Sequence, residues 1–503
     1  MTGPAKTNGE AQSLLKSQLK SQLKSQSKPG SSAPYPVPEL PRIPDRTFDV
    51  TDYGADSADP LALCTEAFQR TLDACSAAGG GRVVIPPGLW RTGPLRLRSR
   101  LELHARPGAI VRFEPDPELY PLVRTRFEGR SDIRCQSPLQ GDDLEDVAIT
   151  GGGVFDGGGQ GWRPVKRFKQ TDVQWERLLA SGGAVNEAGD LWWPSREAME
   201  GEERVRALRE SGETDPDAYL PVRAYLRPAM LGLHGCRRVL LEGPTFQNSP
   251  AWCLHLQDCE QVTARGLHVR NPWFSQNGDG LDLESCRHSL VERCTFDVGD
   301  DAICLKSGKD EEGRRRGLPC EYVTVRECTV YHGHGGVVIG SEMSGGVRAV
   351  RVSDCQFMDT DIGLRFKSAR GRGGVVEDIV MERIRMCGIE REAVSFHLFY
   401  AGVEGSEGND EQVHPVTEET PVFRDITLRD LVCVGARTAL LVNGLPELPL
   451  SRLTIEGFDA ETERGLLARY ADGLKLERLR LRTAEEPVVS LHRCANVATD
   501  FEA

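Results

Sequence analysis

Residues 323–330 read VTVRECTV, and residues 350–357 read VRVSDCQF. Both segments follow one eight-residue template, with apolar residues at positions 1, 3 and 8 and a small or apolar residue at position 6. The same template fits the segments 147–154, 239–246, 262–269, 289–296, 379–386, 426–433, 453–460 and 474–481. Several copies carry flaws, but the apolar alternation across the series has the period of a β-strand.

The spacing of the template predicts how these strands are arranged. The copies between residues 239 and 379 start 23, 27, 34, 27 and 29 residues apart. Units this short cannot fold alone, and a period of roughly 20–50 residues is typical of a solenoid. Because strand-like alternation prevails over helical patterns, we predict an all-β fold: a single-stranded parallel β-helix that occupies residues 46–503 as one domain.

Cysteine usage fits the same interpretation. The chain has 15 cysteines, an odd number, and no pairs with the spacing of a zinc site. Cys294, Cys328 and Cys355 occupy the same template position, which predicts an interior ladder of thiols rather than bridges or a reactive site. A free cysteine in an apolar strand behaves as a small hydrophobic residue. We expect reduced, buried thiols in a cytoplasmic protein.

Composition limits the partners of this chain. Its 503 residues carry a net charge of −13, which argues against a general nucleic-acid binder that neutralises phosphates with Lys and Arg. An acidic substrate remains compatible if the site itself is basic. Residues 1–30 lack the apolar core of a signal peptide, and no apolar run approaches the ~20 residues of a membrane span. The expectation is a soluble cytoplasmic protein without a nucleic-acid or membrane partner.

The N-terminal region divides into a tail and a cap. Residues 1–45 contain an LKSQ-like repeat and then a Pro/Ser-rich run, which predict a disordered low-complexity tail. The alternative is one helix with a Leu stripe and a basic face. Residues 61–77 have apolar residues at helical spacing after Asp59 and Pro60, and three glycines end the pattern at residues 79–81. This segment predicts a helix that caps the N-terminal end of the β-helix.

An insertion interrupts the repeat between residues 160 and 225. It contains four of the seven tryptophans and a charged segment near residues 197–211 with a helical pattern. Insertions of this length in a solenoid map to one face and often shape the binding site. The alternative is a decoration without a function.

Polar motifs follow one another between residues 277 and 367. They are NGDGLD at 277–282, GDDA at 299–302, GHGG at 333–336 and RFK at 365–367. Equivalent positions of successive coils lie ~4.8 Å apart, so these motifs are expected to meet on one face. Asp300 and Asp301 are neighbours and can point the same way only if a turn or bulge intervenes. Three carboxylates, from Asp279, Asp300 and Asp301, are compatible with a calcium site, glycoside hydrolysis or simple turn chemistry.

These four motifs, in this order, resemble the signature motifs of glycoside hydrolase family 28, the polygalacturonases. VTDYGA at 50–55 and GGGVFDG at 151–157 add to the resemblance, which covers residues 46 to 390. It implies a right-handed parallel β-helix that hydrolyses α-1,4-galacturonosyl bonds of polygalacturonate or oligogalacturonides with inversion, using no metal and no cofactor. Gly278 departs from the family pattern, which usually has Thr there.

The resemblance also assigns roles to single residues. Asp300 is the implied general acid, and Asp279 and Asp301 are implied to hold and deprotonate the attacking water. The remaining implied roles are tuning of the acid by His334, orientation of the site by Asn277, and binding of the uronate carboxylate by Arg365 and Lys367. Because like charges at short range raise a pKa, we expect the neighbouring carboxylates to keep Asp300 protonated.

Two insertions predict the mode of action. Residues 308–317 lengthen the path between the Asp pair and His334 and look like those of bacterial members that act from chain ends. Together with residues 160–225 they could block one end of a groove, so we expect exo action. The alternatives are a hydrolase of rhamnogalacturonan or another decorated pectin oligomer, a calcium-dependent pectate lyase, and a non-catalytic β-helical carbohydrate-binding protein or adhesin.

Overall fold

The computed structural model describes residues 35–59, 61–400 and 412–500, and the predicted parallel β-helix is confirmed. Each complete coil contributes three strands, and each strand pairs in parallel with its equivalents in the preceding and following coils. We name the three resulting ladders first, second and third, in the order in which the chain visits them. No helix in the described part of the chain is long and apolar enough to cross a membrane.

The strands of the first ladder are Thr47–Asp49, Gly81–Ile85, Leu101–Ala105, Glu145–Gly151, Arg237–Glu242, Glu260–Arg265, Arg287–Glu292, Cys320–Arg326, Val347–Ser353, Val375–Glu382, Ala471–Asp472 and Ala498–Thr499. Those of the second ladder are Gly88–Thr92, Ala109–Phe113, Val154–Asp156, Thr245–Gln247, His268–Arg270, Thr295–Asp297, Thr329–His332 and Gln356–Met358. Those of the third ladder are Leu95–Arg96, Leu139–Asp142, Leu231–His234, Leu254–Gln257, Leu281–Glu284, Asp301–Lys306, Gly335–Ile339, Leu364–Lys367, Arg464–Arg469 and Val489–His492. Longer strands near the C-terminal end run through the corners between ladders: Arg385–His397, Val422–Asn443, Leu450–Thr462 and Lys475–Thr483.

The eight-residue template corresponds to the corner between the first and second ladders. Strand pairing places its first positions side by side, from Val147 and Val239 through Val262 and Ser289 to Val323 and onward. The last template position falls in a strand of the second ladder, where large apolar side chains fill the interior of the β-helix. The template therefore predicted the register of the first ladder and the inward face of both ladders, except that Phe155 and not Val154 pairs with Phe246 in the second ladder.

All fifteen cysteines are free. Cys294, Cys328 and Cys355 are buried at the predicted corner, and a second set lies at the corner between the third and first ladders. The second set consists of Cys236, Cys259, Cys286 and Cys320, each three residues before a template copy. Burial raises the pKa of the Cys259 thiol well above its ordinary value, so that it stays protonated. These thiols pack the interior.

The predicted cap helix is present but shorter. Helix α1 (Thr65–Ala77) begins at Thr65 and not at residue 61, because Asp59 Oδ1 accepts a hydrogen bond from the Leu61 backbone N–H at 2.9 Å and closes a turn. Phe68 of α1 is buried and meets Trp90 edge to face, at 5.8 Å between ring centroids. The helix thus covers the apolar end of the first coils, as expected for a cap.

The predicted tail ends earlier than residue 45. Residues 1–34 lie outside the described residues, but residues 35–45 run along the first ladder. Tyr35 packs edge to face on Tyr322, at 5.5 Å between ring centroids. The Arg42 backbone N–H donates to Asp146 Oδ1 at 2.8 Å. The boundary at residue 45 was therefore wrong, because side chains at the corners of the β-helix bind the backbone of this segment.

Two additions stand outside the coils. The insertion folds into a small antiparallel sheet (Val165–Lys166, Ala184–Val185 and Leu191–Trp193), α2 (Asp172–Ala180), α3 (Arg196–Glu210) and the 3-10 segments Gly159–Gly161, Arg167–Lys169 and Pro216–Tyr225. The predicted helix at residues 197–211 is α3, one residue earlier at each end. A hairpin (Leu122–Phe127 and Arg130–Cys135) was not predicted, and α4 (Asp310–Arg316) lies within the predicted insertion at 308–317. The fold also has short 3-10 turns at Val50–Tyr53 and Pro117–Leu119. The last strand, Ala498–Thr499, pairs over a short stretch with Lys475–Thr483.

We predict that Phe246→Ala strongly destabilises the β-helix. Phe246 is fully buried and stacks on Phe155 of the preceding coil, at 5.4 Å between centroids. Truncation removes apolar burial and leaves a cavity, at a cost of about 3–5 kcal/mol, which will lower the urea midpoint. Val434→Ala, at a residue that is 50% exposed, is the control and should stay within about 0.5 kcal/mol of the parent. Equal midpoints for the two variants would contradict the assigned core.

Candidate active site

The four polar motifs meet where the second ladder turns into the third. Second-ladder strands end at Arg270, Asp297 and His332, and the following third-ladder strands begin at Leu281, Asp301 and Gly335. The corners between them carry the predicted acidic and histidine side chains. Since these corners belong to consecutive coils, segments far apart in sequence are stacked into one site.

The three predicted carboxylates converge. Asp279, Asp300 and Asp301 each offer an oxygen that lies within 4.8 Å of the others. Asp301 is the first residue of its strand, whereas Asp300 ends the corner and accepts a hydrogen bond from the Asp301 backbone N–H at 3.0 Å. The predicted irregularity is present, because the pairing register shifts between Phe296 and Asp297 just upstream. This corner lets two neighbouring residues face the same space.

Cationic side chains surround the cluster. Lys367 Nζ lies 2.7 Å from Asp301 Oδ2, and an Arg365 guanidinium nitrogen lies 3.3 Å from Asp301 Oδ1. His334 Nδ1 lies 3.0 Å from Asp300 Oδ1. Arg365 and Lys367 thus contact the Asp301 carboxylate, whereas the family resemblance implies that they bind the carboxylate of the sugar.

The carboxyls of Asp279 and Asp300 differ in their charged and hydrogen-bonding partners, and their pKa values therefore differ. Burial and the neighbouring Asp300 carboxylate raise the pKa of Asp279 well above its ordinary value. Its Oδ1 is buried without a hydrogen-bond partner among the described residues. Burial also acts to raise the pKa of Asp300, but His334, Lys367 and Arg365 outweigh it and hold that pKa well below its ordinary value. Of these two carboxyls, Asp279 is therefore the one whose surroundings favour the protonated form.

This finding corrects the expectation that neighbouring carboxylates keep Asp300 protonated. The expectation counted only like charges, whereas the hydrogen bond from His334 and the nearby cations stabilise the Asp300 carboxylate. Burial opposes the ionised form of Asp301 too, but Lys367 and Arg365 outweigh it and lower its pKa.

A buried lysine beneath the cluster was missed. Lys306 Nζ lies 3.1 Å from Asp282 Oδ1 and 3.7 Å from both Asp279 Oδ2 and Glu342 Oε2. It also sits 3.8 Å above the ring of Trp252. Strand alternation could have revealed it, because Lys306 and Asp282 face outward between the buried leucines of the third ladder. Burial raises the pKa of Asp282 to about 7 although Lys306 opposes that shift.

The predicted binding residue Asn277 lies at the edge of the site. Its side-chain oxygen accepts a hydrogen bond from the Arg227 guanidinium at 2.8 Å, and its backbone is left-handed with φ 53°. Gly278, the departure from the family motif, is explained by a close neighbour. A Cβ at this position would lie 1.8 Å from Ser275 Oγ, so a serine hydroxyl occupies the space beside the loop.

A cleft of about 1120 Å³ opens over these corners. Asn277, Asp300 and His334 line it, while Asp279 and Asp301 are buried, at 3% and 1% exposure. The insertion and the coils supply the other lining residues: Lys166, Phe168, Lys169, Gln247, Asn248, Arg270, Asn271, Pro272, Trp273, Ser275, Gln276, Asp297, Val298, Gly299, His332, Gly333, Asp359, Asp361 and Glu390. The insertion therefore forms a wall of the cleft and is not a mere decoration.

A second wall covers the outer face of the third ladder. The tip of the 122–135 hairpin meets the start of α4, where the Lys309 backbone N–H donates to the Gly129 carbonyl at 2.9 Å. Asp310 of α4 pairs with Arg130 of the hairpin and with Arg372 of a later coil. The predicted insertion at 308–317 thus joins segments from three distant parts of the chain above the strands of the site.

The charge pattern favours acid–base chemistry over a calcium site. Each carboxylate of the cluster has a cationic or protonatable partner: Lys306 at 3.7 Å, His334 at 3.0 Å and Lys367 at 2.7 Å. Calcium binds through six to eight oxygen ligands, and cations at these positions compete with it for the same oxygens. A protonated carboxyl beside two ionised ones is the arrangement that proton transfer to a leaving group uses.

The fold and the site together define a β-helical glycoside hydrolase. A model of glycosyl hydrolases family 28 matches residues 222–431. The crystal structure of a hyperthermoactive exopolygalacturonase from Thermotoga maritima shares 32% identity and a TM-score of 0.75, and the match covers 90% of this chain and 95% of that chain. The chain belongs to glycoside hydrolase family 28 and is a polygalacturonase-like hydrolase, which confirms the resemblance.

Two relatives extend the comparison. A probable polygalacturonase from Vitis vinifera is 27% identical over 415 residues, which are 81% of this chain and 72% of the relative. An exo-poly-alpha-D-galacturonosidase from Dickeya chrysanthemi is 25% identical over 407 residues, which are 79% of this chain and 64% of the relative. The similarity therefore extends across most of this chain and beyond the four motifs.

We predict that Lys306→Met moves the alkaline limb of the kcat/KM profile to higher pH. Lys306 lowers the pKa of Asp279 and Asp282, so its loss raises both, and the cluster then keeps its proton to higher pH. The expected shift is on the order of one pH unit. Hydrolysis rates of polygalacturonate from pH 4 to about 9 give the profile.

The control is Lys475→Met, which removes a half-exposed lysine paired with Glu477 far from the cluster. Its profile should coincide with that of the parent protein. A limb that stays in place or moves to lower pH in Lys306→Met, with an unchanged circular dichroism spectrum, would contradict the role given to Lys306.

Proposed function

We propose that this protein hydrolyses α-1,4-galacturonosyl bonds of polygalacturonate or oligogalacturonides and acts from a chain end. The observation that carries the proposal is the convergence of Asp279, Asp300 and Asp301, in surroundings that raise the pKa of Asp279 and lower the pKa of the other two. Hydrolysis of a glycosidic bond needs this combination of acid and base.

The burial of the three carboxylates supports their division of labour. Asp300 lines the cleft with its side chain 23% exposed, so it is the one that can reach a glycosidic oxygen. After Asp279 has passed its proton to Asp300, Asp300 protonates the leaving oxygen as the bond to the anomeric carbon breaks. Asp279 and Asp301, now both ionised, hold a water, take one of its protons and direct its oxygen to that carbon.

The stereochemical outcome that we propose, inversion, rests on family membership. Carboxyl oxygens within 4.8 Å are nearer to the separation of about 5–5.5 Å found in retaining pairs than to about 6.5–9.5 Å in inverting ones. In a cluster of three, however, the water is held by the two buried carboxylates, and no covalent intermediate is required. The anomer released first distinguishes the two outcomes.

Two features support exo action. The insertion closes one side of the cleft, and the hairpin with α4 covers the strands beside it. We infer that these walls together block one end of the groove, so that it accepts the end of a chain and not its middle. The names of the relatives from Thermotoga maritima and Dickeya chrysanthemi describe exo-acting enzymes, which agrees with this proposal.

We predict that Asp300→Asn lowers kcat on polygalacturonate by about 10²–10⁴-fold, because the amide cannot donate the proton that a general acid supplies. A reducing-sugar assay measures the loss, with rhamnogalacturonan as a parallel substrate. Asp459→Asn, at a surface carboxylate paired with Arg482 at 2.8 Å, is the matched control and should keep full activity. Full activity of folded Asp300→Asn would refute the assignment of the acid, and faster turnover of rhamnogalacturonan would refute the substrate.

We also predict the products of the first minutes of reaction. Chain-end cleavage gives one short product from the start while the viscosity of polygalacturonate falls slowly. Inversion gives the β-anomer of the new reducing end. Chromatography of the samples measures the product sizes, and proton NMR of the same samples identifies the anomer. A ladder of intermediate sizes would contradict exo action, and initial α-anomer would contradict inversion.

A further inference from the structure

The cleft contains a cation whose role the reaction described above leaves open. Lys169 belongs to the insertion, lines the cleft and is half-buried. Burial lowers its pKa, and the nearest charges that oppose this shift are the carboxylates of Asp300 and Asp361. An insertion from between two early coils thus brings an ammonium group to the acid of the site.

The described residues give the Lys169 ammonium no carboxylate within ion-pair distance. The ammonium group contacts the Trp273 carbonyl, at 3.5 Å, and the Trp273 ring, at 5.8 Å from the centroid. This contrasts with Arg365 and Lys367, which the Asp301 carboxylate already engages. A cleft that takes an acidic sugar needs a cation that is not already neutralised by the protein.

An aromatic surface lies next to this cation. Trp273 is 55% exposed in the cleft, an uncommon position for a large apolar side chain. The neighbouring Phe274 packs into the small core of the insertion formed by Val165, Trp175 and Trp192. This packing fixes the insertion to the coil that carries Trp273, so the lysine and the indole ring keep their relative positions.

We propose that Lys169 and Trp273 form the subsite for the galacturonosyl unit on the insertion side of the cleaved bond. Lys169 binds the carboxylate of this sugar, and the Trp273 ring packs against the apolar face of the sugar ring. The inference rests on the proposed function and deepens it, because it names the group that distinguishes a uronate from its ester. The insertion then selects the substrate as well as closing the cleft.

The test compares trigalacturonate with its fully methyl-esterified form. Lys169→Met should lower kcat/KM on trigalacturonate by about 10- to 100-fold, the usual effect of losing a charge-assisted hydrogen bond, and should change the ester by less than about threefold. Lys169→Arg should recover most of the loss. Trp273→Ala should lower kcat/KM on both substrates alike, since ring packing does not depend on the charge. Lys475→Met is the control for removal of a lysine elsewhere.

Equal losses on acid and ester in Lys169→Met, or no loss on either, would overturn the subsite. Calorimetric titration of trigalacturonate into Asp300→Asn, with and without Lys169→Met, measures binding without turnover. Weaker binding on loss of Lys169 supports the subsite even if the wild-type protein cleaves neither substrate, in which case only the proposed function fails. Unchanged binding overturns the subsite while leaving the proposed function in place.

Discussion

The site depends on parallel pairing within the third ladder. Ile303 pairs with Leu281 on one side and with Val337 on the other, and Val337 pairs with Leu364. These pairs hold consecutive coils about 4.8 Å apart, so motifs separated by up to ninety residues act as neighbours. A shift of one residue in any of these pairings would turn the outward polar side chains into the apolar interior. The positions of the side chains in the site therefore depend on the strand register of the β-helix.

Chemical roles within the acidic cluster follow from partners, since all three residues are aspartates. Two basic side chains that contact Asp301 lower its pKa against the effect of burial, and the His334 imidazole does the same for Asp300. Asp279 has only a more distant lysine and an oxygen without a hydrogen-bond donor. The protein thus gives three identical groups different pKa values through unequal partners, a means of acid–base tuning that needs no change of residue type.

The sequence predicted what is local or periodic. The template positions at Val239, Val262 and Ser289 pair side by side, and the four motifs converge as the period required. The second cysteine ladder was equally visible, three residues before each of four consecutive template copies, but the template did not extend that far. Periodicity carries no information about contacts such as Ser131 with Glu312, which are 181 residues apart and build the wall above the third ladder.

The charge state of the cluster was beyond sequence reasoning for a related physical reason. A pKa depends on which cation lies nearest to which oxygen. Lys367, 2.7 Å from Asp301, helps to outweigh the burial of that carboxyl, whereas Lys306, 3.7 Å from Asp279, does not outweigh the burial of the other. The order of the motifs in the sequence predicts which residues belong to the site, but it does not predict these distances. The turn closed by Asp59 Oδ1, which shortens the cap helix, is a similar case, where one hydrogen bond overrides a helical pattern.

The segment at residues 35–45 has a consequence for how the β-helix unfolds. In a solenoid each coil contacts only its neighbours, so disorder can spread from one end coil by coil. This segment adds contacts between coils that are not neighbours, since it touches Tyr322, Gln261 and Asp146 on successively earlier coils. A coil in the middle of the stack cannot open without also releasing contacts made several coils away. The segment therefore makes the stacked coils unfold more cooperatively than the contacts between neighbouring coils alone would.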